Sequence, residues 1–201
     1  MANMHAPSLF QINTRVWLTE LSIALGRTAT LDDIADADLD RLAGLGFDWV
    51  WLLSVWQTGP AAQAISRANP QWRHEFAETL PDLKEEDIAG SGFAIQGYTV
   101  HRDLGGAAAL ARLRQRMRDR GLKLMLDFVP NHMAPDHPWI DEHPEFFVHG
   151  SETDLAQSPR NYCRLQTKKG RWCWPTAGIR TLTAGPTPCS STTASRHCSR
   201  R

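Results

Sequence analysis

Acidic residues stop at Asp154, and the remaining 47 residues contain none. Cysteine is missing from the first 162 residues. The four present, Cys163, Cys173, Cys189 and Cys198, have the spacing of neither a CxxC zinc knuckle nor a small secreted disulfide scaffold. No apolar run approaches the ~18–20 residues that a membrane helix needs. The opening MANMHAPSLFQINTRVWL has neither a basic n-region nor an apolar core, so no signal peptide is read and a cytoplasmic location is expected.

What is there is ordinary globular material. The chain has 201 residues, 42% hydrophobic and 22% charged, enough for one core-forming domain or two. Its net charge of zero conceals a division. Residues 1–154 carry 13 basic and 22 acidic side chains, whereas residues 155–201 carry nine basic ones and no acid. A basic tail of this kind is one signature of a nucleic-acid binder.

Segment 9–18 (LFQINTRVWL) is rich in β-branched and aromatic residues and reads as a strand. In 31–45, Leu31, Ile34, Leu39, Leu42 and Leu45 recur near helical spacing, and Gly46 follows as a stop. FDWVWLL (47–53) reads as a strand buried on both faces. The same order returns later. A helix is expected over 105–120, with Leu110, Leu113 and Met117 inward and five arginines forming a solvated face. Gly121 ends it, and LKLMLDF (122–128) is the third strand. Helix, glycine and apolar strand, repeated, predict a parallel α/β sheet. Between strand two and the second helix lies an insert of roughly 54–104, with a short helix expected at 83–88. Long loops at the C-terminal ends of such strands are where α/β folds place function.

The segment that carries chemistry is Asp127-Phe128-Val129-Pro130-Asn131-His132. It delivers an acid at the strand end, then a turn fixed by proline, then an amide and an imidazole. An amide oxygen suits a hard cation, and a histidine can hydrogen-bond a substrate hydroxyl at neutral pH. A zinc site built from Asp127, His132, His137 and His143 is the competing reading. It is weakened because the histidine spacings of 5 and 6 fall in a loop where Pro138 and Pro144 follow two of them directly. Most of the eight tryptophans read as packing, with Trp56 and Trp139 placed where loops could present them to a sugar.

DFVPNH resembles the first motif of the alpha-amylase family of glycoside hydrolases, D-x-x-x-N-H at the end of barrel strand three. FQINTRVWL resembles that family's first strand, GFDWVWLLSVWQTG its second strand and loop, SGFAIQGYTVHRDLGG its G-Y-D-x-x-D-Y segment, and HPWIDEHPEFF the start of its domain B. The resemblance implies an α/β fold, the N-terminal portion of a (β/α)8 TIM barrel with about three strands, two helices and the start of domain B. It implies that Asp127 supports the active-site floor and that His132 contacts the sugar beside the scissile bond. Phe93 stands where the family has a stacking tyrosine, and Tyr98 matches the second tyrosine of that segment. These four form the expected substrate-binding set. Asn131 matches a calcium ligand of calcium-binding members. Gly97 and Ala94 replace two aspartates of the family pattern.

The family's catalytic carboxylates, an Asp nucleophile, a Glu acid/base and a further Asp, follow later strands. A retaining enzyme needs its nucleophile and acid/base about 5–5.5 Å apart. With no acid after Asp154, no catalytic residue is named in this chain. The implied function is hydrolysis or transglycosylation of α-glucosidic bonds by a retaining mechanism, with an α-glucan or maltooligosaccharide as substrate and no nucleic-acid or membrane partner. The chain alone is expected to be inactive. The alternatives are a non-catalytic or non-functional sugar-binding fragment and, less favoured, a metal-dependent hydrolase on a similar barrel. Calcium is the one cofactor the resemblance allows.

From Arg171 the text loses its periodicity. Read from the third base of the Arg171 codon, the bases that specify residues 172–193 permit VLAHGRxPDPYxWPDTLQLDY, which resembles the family's own continuation. Residues 1–170 are therefore expected to be a partial barrel, and 171–201 a non-native tail produced by a frame slip near Gly170, or a disordered one.

Overall fold

The computed structural model describes residues 6–177 and 181–183. In chain order the elements are β1 (Leu9–Asn13), α1 (Thr14–Leu25), α2 (Asp36–Gly44), β2 (Trp49–Leu53), β3 (Trp56–Thr58), α3 (Pro60–Ala68), α4 (Pro70–Thr79) and β4 (Ile95–Val100). They continue with α5 (Gly106–Arg118), β5 (Lys123–Leu126), β6 (His132–Met133), α6 (Trp139–Glu142), α7 (Glu152–Gln157), β7 (Tyr162–Thr167), β8 (Gly170–Ala177) and β9 (Thr181–Thr183). The chain divides into two compact units, one running to Gln57 and resuming at Gly97–Phe128, the other Thr58–Gln96 and the described residues from Val129 onward.

The first unit holds the expected parallel sheet, in the order β1-β2-β5. Its register aligns Ile12 with Leu52 and Leu52 with Leu126. Val50 and Leu52 are buried against Leu39, Leu42, Leu113 and Met117 of α2 and α5, in one cluster that also takes Leu18 of α1. The neighbouring positions differ from expectation. Trp49, Trp51 and Leu53 are only half-buried, and Leu9 and Met125 are exposed, so the strands alternate rather than being buried on both faces. One face of this sheet is covered by helices, and only that face reads as core.

Two expected elements also differ in extent. The strand read over 9–18 ends at Asn13, whose side chain accepts a hydrogen bond from the Val16 N–H and opens α1. Asparagine at the N-cap satisfies an amide that the helix leaves unpaired, and here it outweighs the β-propensity of the residues that follow. The unit therefore has three helices where two were expected. The helix read over 31–45 is broken. Leu31–Asp33 forms a 3-10 turn, held by the Thr30 N–H donating to Asp33 at 2.8 Å, and α2 begins at Asp36. Leu45 is left exposed.

Three of the five arginines expected on a solvated face, Arg112 and Arg116 of α5 and Arg120 just beyond it, pair with acids while staying partly or fully exposed. Arg112 grips Asp32 with two hydrogen bonds of 2.8 and 2.6 Å. Arg116 donates to Asp36 at 2.8 Å and to the Ile34 carbonyl at 2.5 Å, and Arg120 donates to Asp40 at 2.6 Å. Positions four apart share a helical face, so a step of four on α5 meets a step of four along 32–40.

In the second unit the long insert contains α3 and α4, which the sequence reading lacked. Each starts with proline at its first position, and Asn69 caps α4 by accepting from the Gln71 and Trp72 N–H groups. The helix expected at 83–88 is a 3-10 turn, Glu85–Asp87. Further on, β6, β9, β8 and β7 form a sheet in that order, with Cys163 opposite Trp174 and Arg164 opposite Cys173. Trp174 is fully buried against Phe147. Of the expected tail, residues 171–177 belong to β8 and 181–183 form β9, while 178–180 and 184–201, with Cys189 and Cys198, lie outside the described residues.

The arginine ladder is exposed, so its contribution is small and screened. Asp36→Ala removes the carboxylate shared by Arg116 and Arg120. It is expected to lower the thermal midpoint slightly in low-salt buffer and not at ~1 M NaCl, where the Debye length falls to about 3 Å. Melting curves at the two salt concentrations check this.

Candidate active site

The end of β5 organises the first unit's upper rim. Strand alternation sends Leu124 and Leu126 toward the helices, and Asp127, one step on, is buried with 6% exposure. Its two carboxylate oxygens accept from the Trp51 indole N–H at 2.8 Å and the Ser54 backbone N–H at 2.7 Å. Its backbone carbonyl accepts from the Trp56 indole N–H at 2.7 Å. Ser54 has φ +65°, a left-handed conformation that a residue with a side chain adopts at a cost of order 1 kcal/mol. The charge-assisted bond to Asp127 offsets that cost. Both oxygens are thus engaged by protein donors.

Tyr98 lies at the same rim. Trp56 meets its ring edge-on at 5.3 Å and 78°, and Phe128 lies against it at 6.1 Å and 27°. Tyr98 is 45% exposed and Phe128 78%. Just beyond β4, His101 is buried, donates its N–H to the Val55 carbonyl and accepts the Asp103 N–H at Nδ1. Burial, with the charge of Arg15 next, holds its pKa below the usual imidazole value.

Phe93, Asn131 and His132 belong to the second unit. Phe93 is 39% exposed, and its N–H donates to Ser91 Oγ at the end of a turn that buries Ala94 and Ile95. The Ile95 carbonyl accepts from the Ala134 N–H, which ties β4 to the chain just past β6. Asn131 is exposed, its amide nitrogen 3.4 Å from His132 Nδ1. His132 Nε2 is shielded and has no partner among the described residues. Burial lowers its pKa, which favours a neutral ring able to take a hydroxyl hydrogen bond.

The sequence reading missed Asp136. Its Oδ2 accepts from the Ala61 N–H at 3.0 Å in the first turn of α3, and a Cβ on Gly59 would lie 2.1 Å from it. Its carbonyl accepts from the Gln96 side chain. It therefore joins the loop after β6 to both α3 and β4. The signal available in the sequence was Gly59-Pro60, a helix start without a capping side chain of its own.

Among the described residues no three His, Cys, Asp or Glu side chains are grouped to hold a metal, so the zinc set Asp127, His132, His137 and His143 is not assembled. A calcium site takes 6–8 oxygen ligands. Asn131, which the resemblance gives as a calcium ligand, is exposed beside His132.

The family model for the alpha-amylase catalytic domain matches residues 26–177. The alpha-1,4-glucan:maltose-1-phosphate maltosyltransferase of Salinibacter ruber is 35% identical over 138 residues, covering 65% of this chain and 20% of that protein. The enzyme of the same name from Mycobacterium tuberculosis is 30% identical over 172 residues, covering 83% of this chain and 21% of its own length. The chain thus spans about a fifth of these curated relatives. Among solved structures, the isomaltulose synthase of Klebsiella is similar in fold, with a TM-score of 0.54 at 18% identity, covering 89% of this chain and 29% of that one.

Asp127→Asn replaces one accepting oxygen with an amine that faces an N–H. It is expected to cost about 2–3 kcal/mol of stability. Denaturant titration of wild type and variant gives the value, and a loss under about 0.5 kcal/mol would contradict the role assigned.

Proposed function

The chain belongs to the alpha-amylase family through its catalytic domain, and on that premise we propose that it is the N-terminal portion of a barrel that holds an α-1,4-linked glucan. The observation that carries this reading is the strip from Asp127 to His132, the end of the third parallel strand, with the acid braced from below and His132 Nε2 shielded and unpartnered. In this reading His132 hydrogen-bonds a hydroxyl of the glucosyl unit beside the scissile bond. Within the second unit Phe93 is the stacking ring, and within the first Tyr98 borders the rim whose floor Asp127 holds.

Bond cleavage with retention needs a nucleophile and an acid/base that protonates the departing oxygen. Since no acid follows Asp154, this chain supplies binding and positioning but no carboxylates at those places. A longer protein carrying them would hydrolyse α-glucosidic bonds or transfer the glycosyl unit to a sugar. The maltosyltransferase relatives support the transfer branch. Calcium has no part in this proposal. No helix among the described residues is long and apolar enough to cross a membrane, and we place the protein in the cytoplasm.

We also propose that residues 171–201 are read out of frame. The shifted reading supports this, and the family match ends at residue 177, close to the slip. Resequencing from codon 150 to a few hundred bases beyond the stop is expected to find an insertion or deletion near codon 170, followed by an open frame. An intact frame would leave a sugar-binding fragment as the better description.

Calorimetric titration of the 201-residue chain with maltoheptaose is expected to show weak binding without release of reducing sugar. His132→Ala should weaken it. No heat of binding, or cleavage by this chain alone, would overturn the proposal.

A further inference from the structure

Phe93 and His132, the two sugar contacts proposed in the second unit, are far apart in the chain, yet both segments are seated on the first turn of α3. Gly90, with φ +84°, lies so close to that turn that a Cβ would fall 2.8 Å from the Ala62 carbonyl carbon and 2.8 Å from the Gln63 backbone nitrogen. Ala94, next to Phe93, is buried in one cluster with Ala62 and Ala134. From the His132 side, Asp136 Oδ2 accepts the Ala61 N–H at 3.0 Å. That amide is the first one α3 offers, because Pro60 has none and Gly59 brings no capping side chain.

There is little slack between His132 and Asp136. The Ala134 N–H donates to the Ile95 carbonyl at 2.9 Å, and the His137 N–H donates to the Ala134 carbonyl at 3.1 Å. The Gln96 side chain donates to the Asp136 carbonyl at 3.3 Å. Pro135 fixes its own φ and restricts Ala134 before it. A shift of Asp136 relative to α3 is therefore passed along the loop to His132 rather than absorbed.

We propose that Asp136 is a positioning residue. By holding loop 132–136 on the first turn of α3, it sets the His132 imidazole against the Phe93 ring so that both meet one glucosyl unit. This rests on the glucan reading above. A second contact to a sugar already bound adds affinity in full only when the protein need not be reordered to make it. Asp136 supplies that preorganisation through the loop and needs no contact with the sugar.

Maltoheptaose is titrated calorimetrically into the 201-residue chain and its variants, with thermal midpoints recorded for each. Asp136→Ala removes the tie to α3. Gly59→Ala breaks the same tie by another route, because its Cβ would fall 2.1 Å from Asp136 Oδ2 and displace a carboxylate that keeps its charge. Each is expected to weaken binding about tenfold, and if Asp136→Ala does not fold, Gly59→Ala decides. Asp136→Asn, which keeps an oxygen for the Ala61 N–H, should bind within about threefold of wild type. In a His132→Ala background there is no second contact to align, so Asp136→Ala should then cost less than about twofold. Losses that simply add in the double variant show a residue that only stabilises the fold, and overturn the proposal. Wild-type affinity in Asp136→Ala or Gly59→Ala also overturns it, and the glucan reading survives if His132→Ala still weakens binding. Absence of wild-type binding removes this proposal and the glucan reading together.

Discussion

The carboxylate of Asp127 has little freedom, and much of the first unit's rim depends on that. A buried anion must find donors or lose its charge. Here one oxygen takes an indole N–H from within β2 and the other takes the backbone N–H of Ser54, the residue that turns the chain away from that strand. Two strands and the loop above them are thereby fixed to a single point. The left-handed Ser54 is tolerated because its amide is needed there, and Trp56 is brought back over the strand end so that its indole reaches the Asp127 carbonyl. The rings of Tyr98 and Phe128 take their positions from that indole in turn.

The second unit solves a similar problem with a different acid. Asp136 places a carboxylate on the first turn of α3, where the helix offers unpaired N–H groups and a favourable dipole. The approach is close: a Cβ at position 59 would fall 2.1 Å from the Asp136 carboxylate, which would have to shift away from α3. Both units thus use a side chain distant in sequence to close a backbone gap that no local residue fills.

Legibility in the sequence followed the range of the interaction. The three parallel strands were readable because Val50, Leu52, Leu124 and Leu126 combine short apolar runs with glycine stops, a local pattern with one physical explanation. The burial of Asp127 at the end of the third strand follows from the same local pattern. What escaped was set by groups far apart in the chain. No periodicity announces that Asp136 will cap α3, or that Trp51 and Ser54 will share Asp127. The alternating exposure of β2 depends on which face receives helices, which its own residues do not encode. Some misses had signals that lost the competition. Asn13 could have been read as a cap inside a β-rich run, and Asn69-Pro70 as a helix start.

The salt-bridge ladder between α5 and residues 32–40 has a property of its own. Arg112, Arg116 and Arg120 meet Asp32, Asp36 and Asp40, and every pair is separated by eighty positions. A ladder with a constant step is degenerate. If α5 slid by one turn, about 5.4 Å, Arg116 would face Asp32 and Arg120 would face Asp36, and two of the three pairs would re-form. The charges therefore hold the helix down without telling it where to stop. That information comes from packing that does not repeat with the charges: Leu113 and Met117 lie buried in one cluster with Leu39 and Leu42, and Gly105, just before α5 with φ +92°, sits where a Cβ would fall 3.2 Å from that of Thr30. The choice among equivalent charge registers is left to the apolar face of the helix and to one close backbone approach.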